Sequence, residues 1–150
     1  MNENQEKILT IAHSLIGTPY KYAAKPEEIP QFLDCSSFTQ YVYKHLGIEI
    51  PRSTILQAAQ AGKEINVNPS TSSGQQISDL QIGDLLFFRG TKGHYDDELF
   101  PECEVYIGHV AMYIGNNKVI HGSSKKGVEE TNLHEIIKEK GPVVMLKRIL

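Results

Sequence analysis

The chain has 150 residues, 40% of them hydrophobic and 22% charged, which suits one domain with one core. A net charge of −3 without a basic stripe argues against a nucleic-acid binder, and no apolar run approaches the length of a membrane span. The N-terminus, Met1-Asn2-Glu3-Asn4-Gln5-Glu6, lacks the basic-then-apolar pattern of a secretory signal, so the chain as it stands reads as cytoplasmic, or as secreted or lysis-released if a leader was trimmed.

In chain order, the spacing of Ile8, Ile11, Ala12, Leu15 and Ile16 predicts a first helix over 3–16, ended by Gly17 and Pro19. Residues 20–30 read as a loop, because Pro26 and Pro30 oppose regular structure. A second helix is expected over 35–46, with Asp34 as N-cap and Gly47 as its stop; Phe38, Val42 and Leu46 form the buried stripe, with Tyr41 and His45 beside it. A third, over 53–61, begins at Ser53 and is followed by Gly62. Residues 66–76 form a polar surface loop. The pattern then changes to strands at 84–89, 108–114, 118–122 and 143–149, with a short helix at 133–138. The segment 90–106 has no clear period and reads as a long loop. Helices first and strands afterwards argue for an α+β fold: a small antiparallel sheet with helices on one face.

The chemistry centres on Cys35. A thiolate is a good nucleophile and a thiol a poor one. The partial positive charge at a helix N-terminus and a neighbouring imidazole both lower a thiol's pKa. Cys35 has the first by position. His109 is the candidate for the second, and His121 for the polar group that fixes its tautomer and orientation. A cysteine at a helix start is more often structural than catalytic, and His13, His45, His94 and His134 read as ordinary surface residues. There is no CxxC, no HExxH and no glycine-rich phosphate loop, so no metal or other cofactor is expected. A zinc site from Cys35, His109, His121 and His94, and a Cys35–Cys103 disulfide, are minor alternatives.

Taken together, the motifs resemble those of the NlpC/P60 family, the papain-like cell-wall endopeptidases. Asp34-Cys35-Ser36-Ser37-Phe38 is similar to the family's nucleophile motif. Gly108-His109-Val110-Ala111-Met112-Tyr113-Ile114-Gly115 is similar to its histidine strand, and Val119-Ile120-His121-Gly122-Ser123 to its third motif. Gly17-Thr18-Pro19-Tyr20, Pro51-Arg52-Ser53 and Gly83-Asp84-Leu85-Leu86-Phe87-Phe88 are further matches, all in the family's order. The resemblance implies a papain-like fold over a single catalytic domain, 1–150. It implies amide hydrolysis through a thioester: Cys35 attacks, His109 acts as base and then acid, and His121 orients His109. Tyr20 stands beside the nucleophile, while Asp34 and Ser36 line the substrate groove; for Asp34 a plain helix cap is an equal reading.

The implied substrate and partner is a peptidoglycan stem peptide, cut after γ-linked D-glutamate. Three departures bear on that transfer. Ser37 stands where glycine is usual, Tyr22 where tryptophan often follows Pro-Tyr, and Ser53-Thr54 lacks a carboxylate that some members use to hold the peptide's amine. An amidase or acyltransferase on a non-wall amide therefore stays open, as does a silent peptide- or metal-binding protein. Finally, a plain two-residue turn at Gly115-Asn116-Asn117 would put His109 and His121 on opposite faces of the sheet; a longer loop or a bulge is expected instead.

Overall fold

The computed structural model describes residues 2–65, 80–94 and 107–150. Helix α1 (Glu3–Ser14) starts from a capping box in which Asn2 and Gln5 each accept from the other's backbone amide. It buries Ile8 and Ala12 and stops two residues before the expected end, where the chain turns through Gly17 at φ 96°. The next segment is not wholly irregular: Pro26–Glu28 forms a 3-10 turn. Pro26 stands in its first turn, where a missing N–H leaves no bond unmade.

Helix α2 (Cys35–Lys44) has Asp34 as its cap, accepting from the Ser37 amide at 2.8 Å. The Ser37 hydroxyl answers by accepting from the Asp34 amide at 2.8 Å, so the serine that stands in place of glycine closes a reciprocal cap. At the other end, the Gly47 amide returns to the Lys44 carbonyl and the Ile48 amide to the Tyr43 carbonyl, both at 3.0 Å. These are the two bonds of a Schellman stop, with Gly47 at φ 77° in the left-handed position. Helix α3 (Thr54–Gln60) is capped by Ser53 as expected. The buried side of α2 is Phe38, Val42 and Tyr43; Leu46 is only half buried and His45 is exposed.

The strands are β1 (Lys63–Ile65), β2 (Leu85–His94), β3 (Ile107–Gly115), β4 (Lys118–Ser123), β5 (Gly127–Asn132) and β6 (Val143–Arg148), with helix α4 (Leu133–Lys140) before the last. They form one antiparallel sheet in the order β1-β6-β2-β3-β4-β5. Strands β1 and β5 were not expected, and β2 runs past the expected end at 89 into what read as loop. The expected loop 66–76 and most of 90–106, with Cys103, lie outside the described residues. Among the described residues, no helix is long and apolar enough to cross a membrane.

The helices also depart from the one-sided arrangement. Leu85, Phe87, Val110, Met112 and Ile120 pack with residues of α1, α2 and α3 on one face. Leu86, Phe88, Ala111, Tyr113 and Val119 pack with Leu133, Ile136 and Ile137 of α4 on the other. Strands covered on both faces lose the in-out polarity pattern, which is why β3 is buried almost throughout.

The β3–β4 connection meets the parity condition through a bulge. Asn116 and Asn117 adopt φ 54° and 59°, the left-handed pair of a two-residue hairpin turn. The register then shifts between Tyr113 and Gly115, leaving Ile114 as the extra residue. A one-residue shift moves side chains to the other face, so His109 and His121 share a face after all.

Asp84 ties the start of β2 to the end of β6. Arg148 donates to its two oxygens from Nε at 3.0 Å and Nη2 at 2.8 Å, and the Gln81 amide donates at 2.8 Å. Asp84 is 1% exposed. Asp84→Asn weakens the charge-assisted bonds to this buried carboxylate and should cost about 2 kcal/mol of stability, read as a lower urea midpoint with an unchanged slope.

Candidate active site

The cap of α2 places Cys35 at the first helical position, beside the unpaired amides of a helix N-terminus. Its carboxylate neighbour is fully engaged. Asp34 accepts from Arg52 Nη1 at 3.1 Å and Nη2 at 2.9 Å, and from the Ala23 amide at 3.0 Å. Arg52 also donates to the Ser36 hydroxyl at 2.9 Å and the Ala24 carbonyl at 2.8 Å. Burial raises the Asp34 pKa, but the bonds from Arg52 and Ser37 outweigh it and hold the carboxyl below its ordinary range. Asp34 thus serves here as cap and as Arg52's counter-ion. Ser36 is buried but lines the same cleft.

Behind this turn, Gln57 locks α3 to α2. Its amide donates to the Ser36 carbonyl at 2.9 Å and the Pro51 carbonyl at 2.8 Å, and accepts from the Thr39 hydroxyl at 2.7 Å. That lock fixes Thr54, one turn earlier on α3. The Thr54 hydroxyl shares a hydrogen bond with Cys35 Sγ at 3.4 Å.

The histidines lie where β3 and β4 part. The pairing of these strands ends at Met112↔Ile120, although β3 continues beside β2 and β4 beside β5. Across this gap, His109 Nε2 and His121 Nδ1 are 2.7 Å apart, with the rings perpendicular. Alternation from Ala111 and Val119 puts both rings in the row that faces α4, and the His109 ring lies 6.1 Å from that of Phe88. Helix α2 approaches from the opposite side. A side chain at Gly122 would meet the Asp34 carbonyl at 3.0 Å and the Cys35 amide nitrogen at 3.2 Å, so the helix tip lies directly on β4. The sulfur takes backbone hydrogen bonding from Val110 at the edge of the gap.

Cys35, Gly108, His109 and Gly122 all line one cleft of about 1090 Å³, with Tyr20 and Lys140. Cys35 and His109 are each 9% exposed, and His121 is 1% exposed. Burial pushes the Cys35 thiol up, against bonds from Thr54, Val110 and Ser36. This corrects the expectation that the helix terminus and imidazole would lower it. Burial also holds His109 well below the ordinary imidazole range, helped by His121 and Lys140, and holds His121 below it despite Glu129. Both shifts favour the uncharged forms of thiol and imidazole. Burial, then the charges of Cys35 and Asp34, push the Tyr20 hydroxyl up to about 12, so it remains a donor.

Sequence reasoning missed Arg52, Gln57, Thr54 and the acidic Glu129 beside His121. In the sequence, Pro51-Arg52-Ser53 stands out only as a block similar to the family's. Tyr22, at the tryptophan position, lines the cleft 75% exposed. Among the described residues no three His, Cys, Asp or Glu side chains gather as a metal site requires.

Comparison with known proteins follows the same lines. The model of the NlpC/P60 family matches residues 17–145. The chain is 31% identical over 129 residues to the probable endopeptidase NlpC homolog of Haemophilus influenzae, covering 85% of this chain and 54% of that one. It is 32% identical over 137 residues to the gamma-D-glutamyl-L-lysine dipeptidyl-peptidase of Bacillus subtilis, covering 90% and 38%. The crystal structure of an NlpC/P60 family protein from Bacillus cereus superposes with a TM-score of 0.71 at 27% identity, covering 97% of this chain and 40% of that one. The chain thus spans about half or less of the length of these relatives. The match over most of its residues, with the likeness in fold, shows that the chain belongs to the NlpC/P60 family.

Proposed function

We propose that this chain is a cysteine peptidase that hydrolyses an amide bond in peptidoglycan stem peptides, on the carboxyl side of γ-linked D-glutamate. The observation that carries the reading is the His109–His121 bond opening on the same cleft as a thiol at a helix tip. The Bacillus subtilis relative, a gamma-D-glutamyl-L-lysine dipeptidyl-peptidase, supports the bond type.

In this reading His109 Nε2 is occupied by His121, which leaves Nδ1 to take the Cys35 proton. The sulfur forms a bond to the scissile carbonyl carbon, and the carbonyl oxygen becomes an oxyanion. The Cys35 backbone amide, unpaired at the helix tip, and the Tyr20 hydroxyl are the donors available to it. Collapse breaks the C–N bond, and the leaving amine takes its proton from His109. Water then attacks the thioester with His109 again as base, releasing the acid and restoring the thiol.

The charge of the cleft supports an acidic substrate. Lys25, Lys44 and Lys140 line it against Glu49, while Asp34 is occupied by Arg52. A γ-D-glutamyl peptide carries a free α-carboxylate and fits that balance. The same balance also suits an amidase or acyltransferase on another anionic amide, the second reading.

Incubation with muropeptides, read by mass, should give fragments ending in D-glutamate, and Cys35→Ser should lower kcat on the order of 10⁶-fold. Fragments from Cys35→Ser at the wild-type rate would remove Cys35 as nucleophile. Turnover of other anionic amides with intact muropeptides would favour the second reading.

A second expectation concerns pH. Because burial raises the thiol, iodoacetamide should alkylate Cys35 in the free protein with a midpoint above the ordinary thiol range. Thr54→Val should move it higher still, while Thr54→Ser restores it. The histidines act on stability in the other direction. Their folded pKa values lie below the unfolded 6.5, so the unfolded chain binds protons first as pH falls. Their contribution is complete above pH 6.5 and is lost as pH drops towards the folded values, visible as a falling melting temperature.

A further inference from the structure

Strand β5 brings a carboxylate to the far side of the histidine pair. Glu129 is the direct cross-strand partner of His121, so their side chains share a face. Glu129 Oε2 lies 3.6 Å from His121 Nε2, the ring nitrogen that His109 does not use. The His121 side chain is 1% exposed and that of Glu129 22%. The carboxylate is therefore a charge held against a ring that has almost no solvent.

We infer that Glu129 is a positioning residue for the His121–His109 pair and sets the tautomer of both rings. A carboxylate accepts and cannot donate. It favours the His121 tautomer with the proton on Nε2, which leaves His121 Nδ1 as an acceptor. The short contact at Nδ1 is then a bond donated by His109 Nε2–H. A neutral imidazole carries one N–H, so His109 Nδ1 holds the lone pair. That is the nitrogen a thiol proton requires. With the opposite arrangement, His109 would carry its proton on Nδ1 and could not act as base. Glu129 thus determines the state of His109 through a ring it touches and without contact to substrate.

Other charges face the pair from neighbouring elements. From α4, Glu139 favours protonated His121, while Lys140 disfavours protonation of both rings. Lys140 and Glu139 lie 3.9 Å apart and offset one another. Among the described residues, Glu129 is the carboxylate within 4 Å of a ring nitrogen of His121. The inference rests on the peptidase reading for its consequence in catalysis, but its structural content does not.

The test uses imidazole ¹⁵N–¹H correlation spectra of the free protein near neutral pH, where no substrate is involved. The wild type should show His121 and His109 each protonated on Nε2. In Glu129→Ala, His121 should become a tautomer mixture, and Glu129→Gln, which keeps an acceptor, should restore the wild-type pattern in part. With a turned-over substrate, Glu129→Ala should lower kcat about tenfold at unchanged KM, a fraction of the 10²–10⁴ that general-base catalysis supplies. The acid limb of its kcat profile should move to lower pH, since the carboxylate that favours protonated His121 is gone. If Glu129→Ala does not fold, the same spectra and pH profile of the near-isosteric Glu129→Gln, intermediate by this reasoning, decide. Unchanged tautomers and an unchanged acid limb overturn the inference. Shifted tautomers in a protein that cuts no wall peptide would uphold it and reject the peptidase reading alone.

Discussion

The close approach of the α2 tip to Gly122 is the constraint on which the site depends. Strand β4 is held at its place by a continuous ladder to β5, from Lys118↔Asn132 to Ser123↔Gly127. The absence of a side chain at 122 lets the Asp34–Cys35 peptide lie on that strand. A methyl group there would force the helix tip back by some tenths of an ångström, and the thiol with it. The tip cannot drift along the strand either. Arg52 holds Asp34 and Ser36, Gln57 holds the Ser36 carbonyl, and Asp34 and Ser37 close the cap on each other. Among the described residues no buried side-chain polar atom lacks a partner. A network satisfied in this way rigidifies its members, and here its members hold the Cys35 thiol.

The parting of β3 from β4 gives that rigid tip something to meet. Continuous pairing would seal the sheet between the thiol on one side and the imidazoles on the other. The ladder ends at Met112↔Ile120 instead. Beyond that point the His109–His121 bond links the two strands through their side chains. Gly108 has a related effect on the other edge of β3, where the register with β2 shifts between Phe88 and Arg89. Irregular pairing beside an active site is a common way to aim a side chain.

Features with local causes were legible in the sequence. Asp34, Ser53 and Gly47 act at helix ends through their own neighbours, and each stands where its chemistry suggested. The parity of the histidines was also local, since it depends on one turn. Edge strands were not legible. Lys63–Ile65 is too short to show a period, and Gly127–Asn132 is polar over its last four residues because only its first two are fully buried. Missing β5 meant missing Glu129. Arg52 is eighteen positions from Asp34, and nothing between them signals the pairing. The direction of the thiol's pKa failed for a related reason. The helix tip is visible in a sequence, whereas the depth at which the fold buries it is not.

That burial shapes the electrostatics of the whole site. It raises the thiol and lowers the imidazole, so both effects favour neutral partners and widen the separation that a proton transfer between them would cross. Each unit of separation costs about 1.4 kcal/mol. Contacts that narrow it are worth more once charge has developed than at rest, which is the condition for accelerating a reaction rather than merely binding. The Thr54 hydroxyl and the Val110 backbone act on the sulfur end, and Glu129 acts on the far imidazole. Lys140 acts against the imidazolium. A buried thiol and imidazole with preset hydrogen-bond partners are both held toward their uncharged forms.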